Sequence, residues 1–157
     1  MADIIDDIIR REGGYSNNPA DAGGRTDKGI SERAHPEAWT DGKVTDAEAR
    51  AIYEAKYLKG PKLDLIKDKQ LMTQMVDFAV TSGPQLAIMR LQEILHVTVD
   101  GTMGPETLAA INTMHPDDLN NSLVVTRMKM ICKLVQKNPS QLQFLSGWAN
   151  RILSFLK

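Results

Sequence analysis

Ile4, Ile5, Ile8 and Ile9 recur at helical spacing, with Asp3, Asp6 and Asp7 near the start and Arg10 and Arg11 near the end. This pattern predicts an amphipathic helix whose charges complement its dipole and which stops at Gly13-Gly14. Residues 15–29 (YSNNPADAGGRTDKG) hold only polar, Gly and Pro positions apart from Tyr15 and two alanines, so they cannot fill a core. A loop of about fifteen residues is either functional or disordered, and the flanking helices favour function. Residues 30–35 read as a short helix ended by Pro36. Thr45 and Glu48 form a capping box that opens a helix to about Lys59, where Gly60-Pro61 breaks it. Further helices are expected over 68–82, with Leu71, Met75, Val76 and Ala79 on one face, and over 85–95. HVTVDGTMGPETLAAI supplies a short extended piece, an Asp100-Gly101 turn and Pro105 at the first position of a new helix. Segments 117–137 and 140–156 complete a mainly α fold, with room for one small β-hairpin near residues 15–30.

Composition narrows the class of protein. The 157 residues suit one domain, or one with a small C-terminal appendage, and 42% apolar with 25% charged residues is ordinary for a globular chain. No apolar run approaches the roughly 18 residues of a membrane span, and the acidic N-terminus does not read as a signal peptide, so synthesis in the cytoplasm is expected. Cys132 is the only cysteine, which excludes an intramolecular disulfide and a cysteine-built zinc site. His35, His96 and His115 show no metal-ligand spacing; no metal and no cofactor is expected. The net charge of -1 argues against nucleic acid as a partner, yet it hides a gradient. Residues 1–50 carry 11 acids and 7 bases, residues 101–157 carry 3 acids and 6 bases, and no acid follows Asp118.

Glu12 ends the first helix and faces the polar loop. The negative end of a helix dipole and partial burial both disfavour an ionised carboxylate, as a general acid needs, while Arg10 and Arg11 act against them. Asp21 and Thr26 follow in the same string. A helix-end Glu, a loop Asp and a Thr hydroxyl could flank one sugar bond, with an acid on one face and a held water on the other. A solvated glutamate and two turn-forming residues would produce the same letters.

The run EGGYSNNPADAGGRTDKGIS closely resembles the signature of glycoside hydrolase family 108, approximately E-G-G-Y, N-x-P-x-D-x-G-G-x-T, then G-I. The resemblance continues through TDAEARAIYEAKYLKGP and VDFAVTSGPQLAIMRLQEILHVTVDGTMGPETLAAI, and fades after about residue 115. Members often carry Pro where this chain has Ala22 and an aromatic where it has Lys28. The resemblance implies a lysozyme-like helical fold with a muramidase region over 1–90 and a helical peptidoglycan-binding segment over 91–157, packed as one compact unit. It implies a phage or bacterial endolysin that cleaves the bond between N-acetylmuramic acid and N-acetylglucosamine in peptidoglycan glycan strands. Glu12 is then the essential acid, Asp21 and Thr26 its catalytic companions by analogy with other phage-type lysozymes, and Tyr15 and the backbone of Gly23, Gly24 and Gly29 line the substrate cleft. Such an enzyme would act as a monomer in the periplasm after holin-mediated release. A non-hydrolytic wall-binding module and a lytic transglycosylase giving 1,6-anhydro products remain alternatives.

Two further expectations concern the C-terminal part. Cys132 lies among Met128, Ile131 and Leu134 at helical spacing and reads as a packing residue. Leu145, Trp148, Ile152 and Phe155 form a stripe expected to pack on the domain, leaving Arg151 and the lysines at the surface. The alternative is a basic amphipathic helix in weak contact with the anionic envelope.

Overall fold

The computed structural model describes residues 3–17 and 24–157, and divides the chain into two compact units, Met1–Gly60 and Pro61–Lys157. In the first, helix α1 (Ile4–Glu12) is capped by Asp3, whose Oδ1 accepts from the Ile5 N–H at 3.0 Å, and it buries Ile5 and Ile8. They face α2 (Asp46–Glu54), which buries Ala49 and Tyr53. Arg50 of α2 ties the two helices together through Asp3 (2.5 Å) and Asp6 and also pairs with Glu54 (3.0 Å). The Thr45–Glu48 capping box is present, and α2 runs on as a π-helical segment, Ala55–Lys59. Gly60 closes that segment by donating to the Ala55 carbonyl (2.9 Å), and a Cβ at Gly60 would collide with the same oxygen.

The expected hairpin forms from β1 (Thr26–Asp27) and β2 (Ile30–Ser31), antiparallel, with Ser16 bridging the outer side of Thr26. This overturns the short helix read over 30–35. Lys28 (φ 51°) and Gly29 (φ 76°) make a two-residue turn with both φ positive, which twists the chain back as a hairpin needs. A helical segment follows only at Pro36–Trp39, a 3₁₀ turn that buries Ala38 and Trp39.

The second unit is helical throughout. A 3₁₀ turn (Leu63–Leu65) leads into α3 (Lys69–Ser82), capped by Asp68. Then come α4 (Pro84–Leu95), α5 (Pro105–Ile111), α6 (Pro116–Lys137) and α7 (Leu142–Leu153), the last preceded by a 3₁₀ turn, Pro139–Gln141. Helix α3 buries Leu71, Met75, Val76, Phe78 and Ala79 and touches both α4 and α6. That packing places α3 and α4 in the second compact unit, which begins at Pro61. The extended piece read after residue 95 is not a strand. Gln92, 1% exposed, holds that loop instead: its Nε2 donates to Asp100 Oδ1 (2.8 Å), Thr102 O (3.0 Å) and Thr107 Oγ1 (3.0 Å), and its Oε1 accepts from Asp100 and Gly101 N–H.

Two C-terminal expectations change. Cys132 is exposed rather than packed. Arg151 is not a surface base: its Nε donates to Oδ1 of the fully buried Asp77 at 2.8 Å, while Arg127 Nη2 donates to Oδ2 at 2.6 Å. The stripe itself packs, with Ile152 buried and Leu145, Trp148 and Phe155 half-buried. No helix among the described residues is long and apolar enough to cross a membrane.

Candidate active site

The dipole-matched helix α1 delivers Glu12 as its last residue, and Gly13 (φ 84°) turns the chain away at once. The Glu12 side chain is exposed, so the partial burial expected from the sequence is absent in the protein itself. What the fold fixes is the stem of the side chain. Gly29, at the tip of the hairpin, lies so close that a Cβ there would sit 3.1 Å from Glu12 Cβ and 3.3 Å from Glu12 Cγ and would collide with the Tyr53 hydroxyl. The G-I element of the signature therefore has a steric meaning: only glycine provides both the positive φ and the close approach.

Tyr53, which the sequence reading did not single out, braces the candidate site. Its ring is 5% exposed and stacks on Tyr57 with centroids 5.7 Å apart, and its hydroxyl donates to the Lys28 carbonyl at 3.1 Å. It thus fastens the hairpin turn to α2 beside Glu12. Burial, then the negative charge of Glu12, then Tyr57 push its phenol up to about 12. The available signal was its place four residues after Ala49, on the buried face of α2.

Thr26 begins the same hairpin and bonds to Ser16 through both of its backbone groups: its N–H donates to Ser16 O (2.8 Å) and its carbonyl accepts from Ser16 N–H (2.7 Å). Thr26 lies on the strand that leads into the Lys28-Gly29 turn, and Gly29 is the hairpin residue that meets Glu12. Asp27, 7% exposed, accepts from the Val44 N–H (3.3 Å) and from Lys28 Nζ (3.4 Å), and Lys28 also donates to the Val44 carbonyl (2.7 Å). Lys28 is thus a strut for the turn.

Tyr15 is 56% exposed and tilts against Trp39, with ring centroids 6.3 Å apart. The Arg25 guanidinium lies 5.0 Å from the centre of the Trp39 ring and grips Glu32 with two hydrogen bonds of 2.8 and 2.6 Å. That pairing lowers the Glu32 pKa and raises that of Arg25, each side chain favouring the charged form of the other. Gly24 (φ 74°) lies beside this pair, with its Cβ position 3.9 Å from Glu32 Oε2. Asp21 and Gly23 lie outside the described residues. Among the described residues no cluster of His, Cys, Asp or Glu could hold a metal ion.

A family model for glycosyl hydrolase 108 matches residues 5–83, and one for a predicted peptidoglycan domain matches residues 86–153. Among solved structures, that of SagA from Brucella abortus aligns with a TM-score of 0.67 and 31% identity, covering 96% of this chain and 92% of that one. No curated protein matches. The fold is mainly α and lysozyme-like, and the small two-stranded sheet among the described residues lies beside the candidate acid.

Proposed function

The chain belongs to the glycosyl hydrolase 108 family and carries a peptidoglycan-binding segment, and from that premise we propose that it is an N-acetylmuramidase with Glu12 as its general acid. The observation that carries this reading is the clamp on Glu12: a helix end supplies the residue, Gly29 and Tyr53 immobilise its surroundings, and its carboxyl is left open to a substrate. Positioning of this kind is what makes proton transfer to a leaving group effective.

In this mechanism a glycan strand lies over the exposed Glu12 carboxyl and removes water from it. Glu12 donates that proton to the glycosidic oxygen as the C1–O bond breaks. Asp21, with Thr26 on the hairpin, stabilises the positive charge at C1 or orients the attacking water, which adds at C1 to leave a reducing N-acetylmuramic acid end. The exposed ring of Tyr15, set against Trp39, offers an apolar face to a sugar ring, and the backbone around Gly24 and Gly29 admits the strand closely. Lysis of a bacterial wall by a phage-encoded enzyme is the biological role that fits this activity.

Mass spectrometry of digested sacculi tests the reading. A muramidase releases fragments with reducing muramic acid ends. Release of 1,6-anhydro ends would identify a transglycosylase, and saturable binding without release would identify a wall-binding module. Glu12→Gln should lower the release rate by about 10² to 10⁴ while the helical circular dichroism is retained. A folded variant keeping more than about a tenth of the rate would remove Glu12 from the acid role.

A further inference from the structure

Within the second unit, a cavity of about 250 Å³ opens between α3, α6 and α7. Its apolar wall includes Phe78, Trp148 and Ile152, and the exposed Thr81 and Ser82 stand at its mouth. Arg127 and Arg151 line it as well. Asp77, the acid they share, receives one hydrogen bond from each, so two guanidinium charges face one carboxylate. Two donor groups remain over. Arg127 Nη1 and Arg151 Nη2 are buried and have no acceptor among the described residues, although Arg127 is only 3% exposed.

An unpaired buried donor on a charged group is costly, and the protein retains two in one place. Rings beside Arg127, with Phe78 at 5.0 Å and Phe155 at 5.6 Å, offer its cation their π faces but no hydrogen-bond acceptor. Burial lowers the Arg127 pKa even with Asp77 alongside, as expected for a cation short of negative partners. The missing partner is therefore an anion small enough for the cavity, with an apolar body to suit its wall.

We propose that this cavity is a second binding site, taking a carboxylate on a small apolar body, and that its source is the alanyl C-terminus of a peptidoglycan stem peptide. The carboxylate passes Thr81 and Ser82, turns the two guanidinium groups toward itself and accepts from Arg127 Nη1 and Arg151 Nη2, while the alanyl methyl meets Ile152 and Trp148. The assignment of the source rests on the reading of this chain as a peptidoglycan hydrolase, and α6 and α7 fall within the peptidoglycan-binding match. The site would let the enzyme hold wall peptides independently of the glycan at Glu12.

The test uses the full chain carrying Glu12→Gln, so that no probe is cleaved. Calorimetry compares a disaccharide peptide ending in D-alanine, the same compound as its C-terminal carboxamide, and N-acetyl-D-alanine. The free carboxylate is expected to bind at least about tenfold more tightly than the amide, the scale of a charge-assisted hydrogen bond. N-acetyl-D-alanine should shift the indole N–H resonance of Trp148 and not that of Trp39. Ser82→Phe, which narrows the mouth without touching Asp77, should abolish the carboxylate preference. Equal affinity for acid and amide, or an unmoved Trp148 resonance, overturns the site. N-acetyl-D-alanine binding as tightly as the muropeptide overturns the wall peptide as source and leaves a pocket for free small carboxylates. Failure of the muramidase reading registers separately, as absent cleavage of sacculi by the unsubstituted chain.

Discussion

Gly29→Ala would put a methyl group into the Tyr53 hydroxyl and against the Glu12 stem, at a residue with φ 76°. The left-handed conformation alone costs an L-residue about 1 to 2 kcal/mol. The variant is expected to melt lower and, because the hairpin must move off Glu12, to lose kcat more than it raises KM; unchanged kcat in a folded protein would separate the turn from the acid. Tyr53 gives a pH signature. Its folded pKa, about 12, is raised above the ordinary 10, so its contribution to stability is complete below pH 10 and is lost as the pH rises toward 12. Urea midpoints followed from pH 9 to 12 should fall more steeply for the unsubstituted chain than for Tyr53→Phe. Parallel curves would show that the phenol titrates alike in both states. At this scale, the placement of Glu12 was legible: it ends a dipole-matched helix and two glycines follow it. Tyr53 was not, because a buried tyrosine within a regular helical pattern reads as core until the atom its hydroxyl reaches is known.

The elements divide by how local their causes are. Helix α2 opens where Thr45 and Glu48 satisfy each other's backbone donors, an arrangement contained within four residues and so visible in the sequence. Thr45→Ala should cost about 1 kcal/mol, read as a lower denaturant midpoint. Since α2 carries both Tyr53 and Arg50, the loss should also appear as faster amide exchange in the hairpin turn; a change confined to α2 would show that the turn is held by other contacts. Strand β2 was misread as helical because its turn, Lys28-Gly29, lacks the familiar Asn-Gly pair and its strands are two residues each. Their register is set by distant partners, Ser16 across Thr26 and Val44 against Asp27, which no local pattern discloses. The loop after α4 was similarly hidden, since a single buried amide, Gln92, replaces strand pairing as its organiser.

Across the whole chain the charge gradient resolves into two kinds of base. Arg127 and Arg151 face inward onto Asp77, far away in sequence, which is why helical periodicity assigned Arg151 to the surface. Lys129, Lys133, Lys137 and Lys157 are exposed. The two kinds should separate on substitution. Arg151→Ala removes one of the two donors to the buried Asp77 carboxylate while Arg127 stays paired with it, and should cost about 1 to 3 kcal/mol, seen as a fall in melting temperature at any salt concentration. Replacing the four lysines with Gln should change stability by less than about 0.5 kcal/mol per site. It should instead weaken adsorption to anionic wall polymer, most at low ionic strength, because exposed charges act over a screening length of about 10 Å at 0.1 M salt. The groove bordered by Lys129 and Lys133 also exposes Val125, Leu153 and Leu156, so any adsorption that survives both high salt and the four substitutions would be apolar in origin. A folded quadruple variant that adsorbs as well as the unsubstituted chain at low salt would show that the positive C-terminal charge plays no part in reaching the wall.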